Sequence, residues 1–123
     1  MLDVGCGAGL DMILASRLTG PSGRVCGVDL TPEMVAKAQA NFVCAGAVNA
    51  NAVVAGSDAI PYRGNLFDIV ISNGVLNLSP MKERSLSEIF RVLKPAGRFE
   101  FADIVLEQEL PEDLTNSLDA WSD

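Results

Sequence analysis

The chain has 123 residues, enough for one domain (1–123) that buries about two thirds of the surface its unfolded form exposes, and 49% hydrophobic content with 6% aromatics describes an alanine- and valine-rich α/β core. A net charge of −7 with no cluster of Lys or Arg excludes a nucleic-acid footprint, because phosphates would be repelled. Three scattered cysteines with no C-x-x-C pair, and no histidine at all, exclude a zinc site and a Ser-His or Cys-His catalytic pair. Unpaired thiols fit a reducing cytoplasm. The uncharged run from Ala38 to Ser57 is interrupted by Gln39, Asn41, Asn49 and Asn51, so neither a membrane partner nor a signal peptide is expected.

Strand and helix alternate along the chain, the pattern of a doubly wound parallel sheet. Met1 to Val4 reads as a first strand so short that the chain is expected to begin inside it, as a fragment without its natural N-terminus. Asp3-Val4-Gly5-Cys6-Gly7-Ala8-Gly9 then describes a strand that ends, turns tightly and opens a helix over Leu10–Leu18, with glycines that let a ligand approach backbone N–H groups. Leu10, Ile13, Leu14 and Leu18 fall at helical spacing and are expected to pack this helix on the sheet. The spacing is G-x-G-x-G. A dinucleotide fingerprint needs glycine where Leu10 stands, which counts against NAD.

Arg24 to Leu30 is a second strand, and Asp29 stands twenty positions beyond Gly9, where an acid accepts both ribose hydroxyls of a nucleotide held on the turn. Read from residues alone, Asp29 before Thr31-Pro32 also begins a turn. Thr31 is the expected N-cap and Pro32 the first position of a helix whose inner stripe is Met34, Val35, Ala38 and Phe42, ended by Gly46. Asn51 to Ala55 is a third strand, and Ile60 to Leu66 shows no helical periodicity and reads as an irregular crossover. Phe67 to Asn73 is a fourth strand. Ser79-Pro80 opens a helix with Leu86, Ile89, Phe90 and Leu93 inward, Lys94-Pro95-Ala96-Gly97 closes it, Arg98 to Val105 is a fifth strand, and a last helix runs towards Trp121. Right-handed crossovers with one reversal give the strand order 3-2-1-4-5.

Asp3 to Gly9 resembles motif I of class I methyltransferases that depend on S-adenosyl-L-methionine (SAM), Phe67 to Asn73 resembles motif IV, and Arg91 to Arg98 resembles a helix-turn-strand signature of the superfamily that carries no chemistry. The resemblance implies a Rossmann-like fold, SAM as cofactor and a small-molecule methyl acceptor. It places Asp3, Gly5, Cys6, Gly7, Gly9, Asp29, Leu30, Met34, Ser57, Asp58 and Asn73 at the cofactor. Many members carry an acid where this chain has Gly56; here the acid is Asp58, which with the backbone of Ser57 is the expected partner of the adenine amine and otherwise a solvated carboxylate. Asn73 faces cofactor or acceptor, or only ends its strand. The family's antiparallel C-terminal hairpin is expected to be absent.

The closest likeness is to the arsenite methyltransferase-like branch, through Gly5-Cys6-Gly7-Ala8-Gly9-Leu10-Asp11, Gly27 to Met34 and Ile71 to Pro80. Members of that branch hold trivalent arsenic on cysteine thiolates. One of those cysteines falls on Gly74, so arsenic chemistry is not expected here. SAM supplies its own electrophile, so the missing histidine is no obstacle to methyl transfer and no catalytic residue is assigned. A SAM-binding module without activity is the alternative.

Overall fold

The computed structural model describes residues 1–72 and 82–101. The chain runs β1 (Leu2–Val4), α1 (Leu10–Thr19), β2 (Val25–Asp29), α2 (Pro32–Ala45), β3 (Ala50–Val54), β4 (Phe67–Ser72), α3 (Lys82–Val92) and β5 (Leu93–Phe101). The strands form one sheet in the order β3-β2-β1-β4-β5, parallel at every neighbour. This is the Rossmann-like, doubly wound order that the crossover rules predict. β1 is only three residues long, yet it is the middle strand, with Leu2 opposite Cys26 on one side and Val70 on the other. All three of its residues are buried.

Side chains alternate across a strand, so each face of β1 serves a different layer. Leu2 and Val4 join Val28, Val70, Ile89 and Val92 in the layer under α3. The opposite layer, under α1 and α2, is built from Cys6, Met12, Val25, Val35, Ala38, Phe42 and Ala52. Gly27 points into that second layer, where an added Cβ would overlap the Met12 thioether and stand 2.9 Å from the Cys6 side chain. A bare strand position is what lets α1 lie this close to the sheet.

That closeness fixes the rotation of α1, and it differs from the expected one. Met12, Ala15 and Ser16 are the buried residues, whereas Leu10, Leu14 and Leu18 are 71%, 59% and 79% exposed. Three leucines at i, i+4 and i+8 form a helical stripe whichever way the helix faces. The space over Gly27 admits a methionine and small residues rather than a row of leucines; of the predicted stripe only Ile13 packs against the core. In α2 the expected stripe holds, with Val35, Ala38 and Phe42 buried and Met34 half-buried. Gly46 closes α2 in the left-handed region at φ 67°.

In α3, Ile89 and Val92 are buried and Leu86 packs against the core. Phe90, expected inward, is 61% exposed and instead meets the edge of the Phe99 ring at 6.0 Å between centroids. The segment Lys94–Gly97 is also not a separate closing turn. β5 begins at Leu93, opposite Phe67, and the register jumps so that Arg98 stands opposite Ile69, which makes the intervening residues an irregularity within the strand. The segment from Ile60 to Leu66 is irregular, as expected. The Ser79-Pro80 helix start, the continuation to Val105 and the helix towards Trp121 lie outside the described residues.

Two polar side chains complete the frame. Asn49 Nδ2 donates to the carbonyls of Gly20 and Gly23, each at 3.0 Å, and its Oδ1 accepts from the Ser16 hydroxyl, which fastens the turn between α1 and β2. On the edge strand β3, the carbonyl of Ala52 accepts from Gln39 Nε2 of α2 at 2.8 Å. Among the described residues no helix is long and apolar enough to cross a membrane.

The observed rotation of α1 gives a direct test. Met12→Ala is expected to cost about 2–5 kcal/mol by opening a cavity, whereas Leu18→Ala changes stability by no more than about 0.5 kcal/mol. Denaturant unfolding of the two variants distinguishes this orientation from one with the leucines inward.

Candidate functional site

The turn after β1 is stitched to β2 by backbone bonds. The N–H groups of Gly5 and Cys6 both donate to the Val28 carbonyl, at 2.8 and 3.0 Å, and the Gly9 N–H donates back to the Cys6 carbonyl at 3.0 Å. Asn41 of α2 donates to the Ala8 carbonyl at 2.9 Å. Gly9 precedes α1 at φ 83°, in the left-handed region, and a Cβ there would lie 2.6 Å from the Phe42 ring and 3.1 Å from the Ala38 methyl. Both the backbone conformation and the packing of α2 therefore require glycine at this position.

Asp29, the last residue of β2, closes the turn from the other side. Its Oδ2 accepts the Gly7 N–H at 2.9 Å, and its Oδ1 accepts the Thr31 N–H at 2.9 Å. Thr31 occupies the N-cap position of α2, but its own hydroxyl makes no capping bond there. The Met34 methyl lies 3.6 Å from where a Gly7 Cβ would stand, so Gly7, Asp29 and Met34 meet at one place. Leu30 is exposed beside them.

Gly56 and Asp58 form the neighbouring wall. A Cβ built on Gly56 would meet Asp58 Oδ1 at 2.6 Å and the Leu30 methyl at 3.3 Å. The Asp58 carboxylate thus fills the space that a side chain at position 56 would occupy, next to Leu30. Ser57 between them is buried, with its hydroxyl 2.7 Å from that of Ser85 on α3. Ten of the eleven residues expected at the site are described, and nine of them, all but Asp3, lie on these segments at and following the carboxyl ends of β1, β2 and β3; Asn73 lies outside the described residues.

The electrostatics are dominated by buried acid. Burial, reinforced by the charges of Asp11 and Asp29, pushes the Asp3 carboxyl up to about 7. Burial, with the charges of Asp3 and Asp29, pushes the Cys6 thiol up to about 12, which leaves it an inert neutral group. Cys26 packs in the layer under α3, Cys6 in the opposite layer, and Cys44 is exposed, so the three thiols occupy separate places.

One residue of interest escaped the sequence reading. Ser72, at the carboxyl end of β4 and in register with Val4, is 1% exposed, and among the described residues its hydroxyl has no hydrogen-bond partner. A single hydroxyl ending an apolar central strand was its only sequence signal.

A reversal of strand order beside a glycine turn, with an acid at the tip of the next strand, defines a nucleotide-type site at the switch point of an α/β sheet. Comparison with known proteins names the class. The model of the methyltransferase domain family matches residues 1–122. The arsenite methyltransferase of Halobacterium salinarum is 40% identical over 93% of this chain and 29% of that protein. The ubiquinone/menaquinone biosynthesis C-methyltransferase UbiE of Pasteurella multocida is 38% identical over 90% of this chain and 40% of that protein. Among solved structures, CrArsM, an arsenic (III) S-adenosylmethionine methyltransferase from Chlamydomonas reinhardtii, superposes with a TM-score of 0.79 at 34% identity, covering 94% of this chain and 42% of that one. The chain spans less than half the length of each of these relatives. It belongs to the methyltransferase domain family.

The Asp3 carboxyl has a signed consequence for stability. Its folded pKa lies above the unfolded value of 3.8, so the folded chain keeps a proton that the unfolded chain releases. Its contribution is complete below that value and is lost as pH rises towards about 7. Asp3→Asn is therefore expected to gain stability relative to the wild type, without ligand, as pH rises from 5 to 8. Thermal melts of both proteins across that range measure the difference, and a constant difference would contradict the assignment.

Proposed function

We propose that the protein transfers the methyl group of SAM to a small-molecule acceptor, that residues 1–123 are its SAM-binding unit, and that it works in the reducing cytoplasm. The observation that carries the reading is the bond from Gly7 N–H to Asp29. It fixes the glycine turn against the acid at the tip of β2, and no catalytic group beyond this framework is needed. The chain fits the cofactor, because the turn bars side chains at Gly9 and the acids nearby favour a cationic ligand. Bound there, SAM supplies a methyl group already activated on a sulfonium centre, so the protein contributes position and field.

In this reading Gly5, Gly7 and Gly9 with Cys6 form the floor and Asp29 accepts the ribose hydroxyls through lone pairs that its two backbone bonds leave open. Leu30 and Met34 are the apolar walls. Asp58 with the Ser57 backbone receives the adenine amine, since its carboxylate lies where the family's usual acid at position 56 would reach. Asp3 and Asn73 serve the methionine and acceptor side. A cation arriving near Asp3 offsets the charges of Asp11 and Asp29 and favours its ionised form.

Replacing Asp29 removes an acceptor of charged hydrogen bonds worth roughly 1.5–3 kcal/mol each. SAM affinity of Asp29→Ala is expected to fall at least about tenfold by calorimetry. Unchanged binding in the folded variant would refute the ribose assignment, and SAM binding without turnover on any acceptor would favour the inactive-module alternative.

We further propose that arsenite is not an efficient acceptor, although several relatives are named arsenite methyltransferases. Soft trivalent arsenic needs convergent thiolates. Position 74 is glycine, and Cys6, Cys26 and Cys44 lie apart, one of them held neutral by burial. Incubation of the full-length protein with arsenite, glutathione and SAM is expected to yield no robust methylated arsenical by mass spectrometry; turnover would show that the thiols come from elsewhere.

A further inference from the structure

The crossover from β3 to β4 carries Ser57 and Asp58, yet it has no helix of its own to hold it. A parallel connection normally owes its shape to such a helix. Here α3, which comes later in the chain, supplies the missing partners from residues at i, i+3 and i+6, one ridge of the helix. Ser85 meets the Ser57 hydroxyl at 2.7 Å in the buried layer. Glu88 Oε1 accepts the Ile60 N–H at 2.9 Å, and Arg91 Nη2 donates to the Ile60 carbonyl at 2.9 Å. Glu88 and Arg91 are themselves joined, Nε to Oε2 at 2.6 Å and Nη2 to Oε1 at 3.1 Å. Both peptide groups of a single loop residue are thereby taken up by one ion pair, as a neighbouring strand would take them. Further along, the N–H groups of Asn65 and Leu66 donate to the carbonyls of Arg91 and Val92, at 3.0 and 2.8 Å.

Asp58 lies one residue beyond the first of these attachments and two before the second. Its carboxylate reaches the space over Gly56 only while the loop keeps that path. We infer that Glu88 and Arg91 are positioning residues for the adenine end of the cofactor: by gripping the Ile60 peptide they set where Asp58 presents its carboxylate, and so tune selectivity for a 6-aminopurine. The signature from Arg91 onward, which carries no chemistry by itself, thus begins with a residue that shapes the site from behind. This rests on the reading of Asp58 as the adenine acceptor. The Ile60 side chain is buried in the core independently of the ion pair, so loss of the grip loosens the loop without releasing it.

The test compares two ligands that differ only at the base: S-adenosylhomocysteine, and S-inosylhomocysteine, which carries oxygen in place of the 6-amino group. Calorimetry on the full-length wild type is expected to show a preference for the adenine ligand of at least about tenfold, which Asp58→Ala abolishes. Glu88→Ala is expected to lower that preference about fivefold or more by weakening the adenine ligand alone, while Glu88→Gln, which keeps an oxygen for the Ile60 N–H, retains most of it. Arg91→Lys, which preserves charge but not the two-point grip, is expected to fall between them. If Glu88→Ala weakens both ligands equally, or neither, the positioning role is overturned while the Asp58 assignment stands. A wild type without preference, or an Asp58→Ala variant that keeps it, overturns the Asp58 reading and the positioning role together.

Discussion

The site depends on one carboxylate that serves two backbones. Asp29 binds the N–H of Gly7 through one oxygen and that of Thr31 through the other, so it joins the turn after β1 to the start of α2. Neither N–H has a ladder partner to turn to, because the first belongs to a tight turn and the second to a helix that has not yet begun. A neutral side chain of the same shape would hold them less firmly, since charge-assisted bonds are the stronger kind. The same negative charge is also part of the reason the neighbouring Asp3 keeps its proton. Structural bonding and the local field therefore come from a single group.

Behind that carboxylate, the sheet divides its work between two faces. Leu2, Val4, Val28 and Val70 make a layer of large apolar side chains under α3, whereas the layer under α1 and α2 is thinned at Gly27 and Ala52 so that a helix and a glycine turn come close to the strands. Helix approach at this face sets where the N–H groups of the turn point. The α3 face has the complementary role: its helix not only covers the core but also reaches past it to the loop over residues 57–66.

Much of this frame was legible in the sequence, for reasons that are local. The glycine spacing, the acid at the end of the second strand, Pro32 and Gly46 at the ends of α2, and the lack of period over Ile60–Leu66 each express a rule that operates within a few residues, and the strand order follows from crossover handedness. What could not be read depended on contacts between distant parts. The rotation of α1 is decided by Gly27, which lies outside the helix. Phe90 finds Phe99 rather than the core because the register of β5 slips beside Asp68. The Asp58 carboxylate was identifiable as a candidate, but the tether of its loop through Ile60 to Glu88 crosses 28 positions of sequence, a separation on which periodicity is silent.

The Asn49 side chain bears on how such a domain comes together in time. The turn it fastens spans Gly20–Gly23, while Asn49 itself arrives only after the whole of α2, with sequence separations of 26 to 33 residues to its partners. Closing loops of that length costs chain entropy before any bond rewards it. The turn into β2 is therefore shaped locally by its glycines but secured late, when the start of β3 docks. The first strand–helix–strand unit, which looks self-contained along the chain, is in this sense completed by the residue that leads into the third strand.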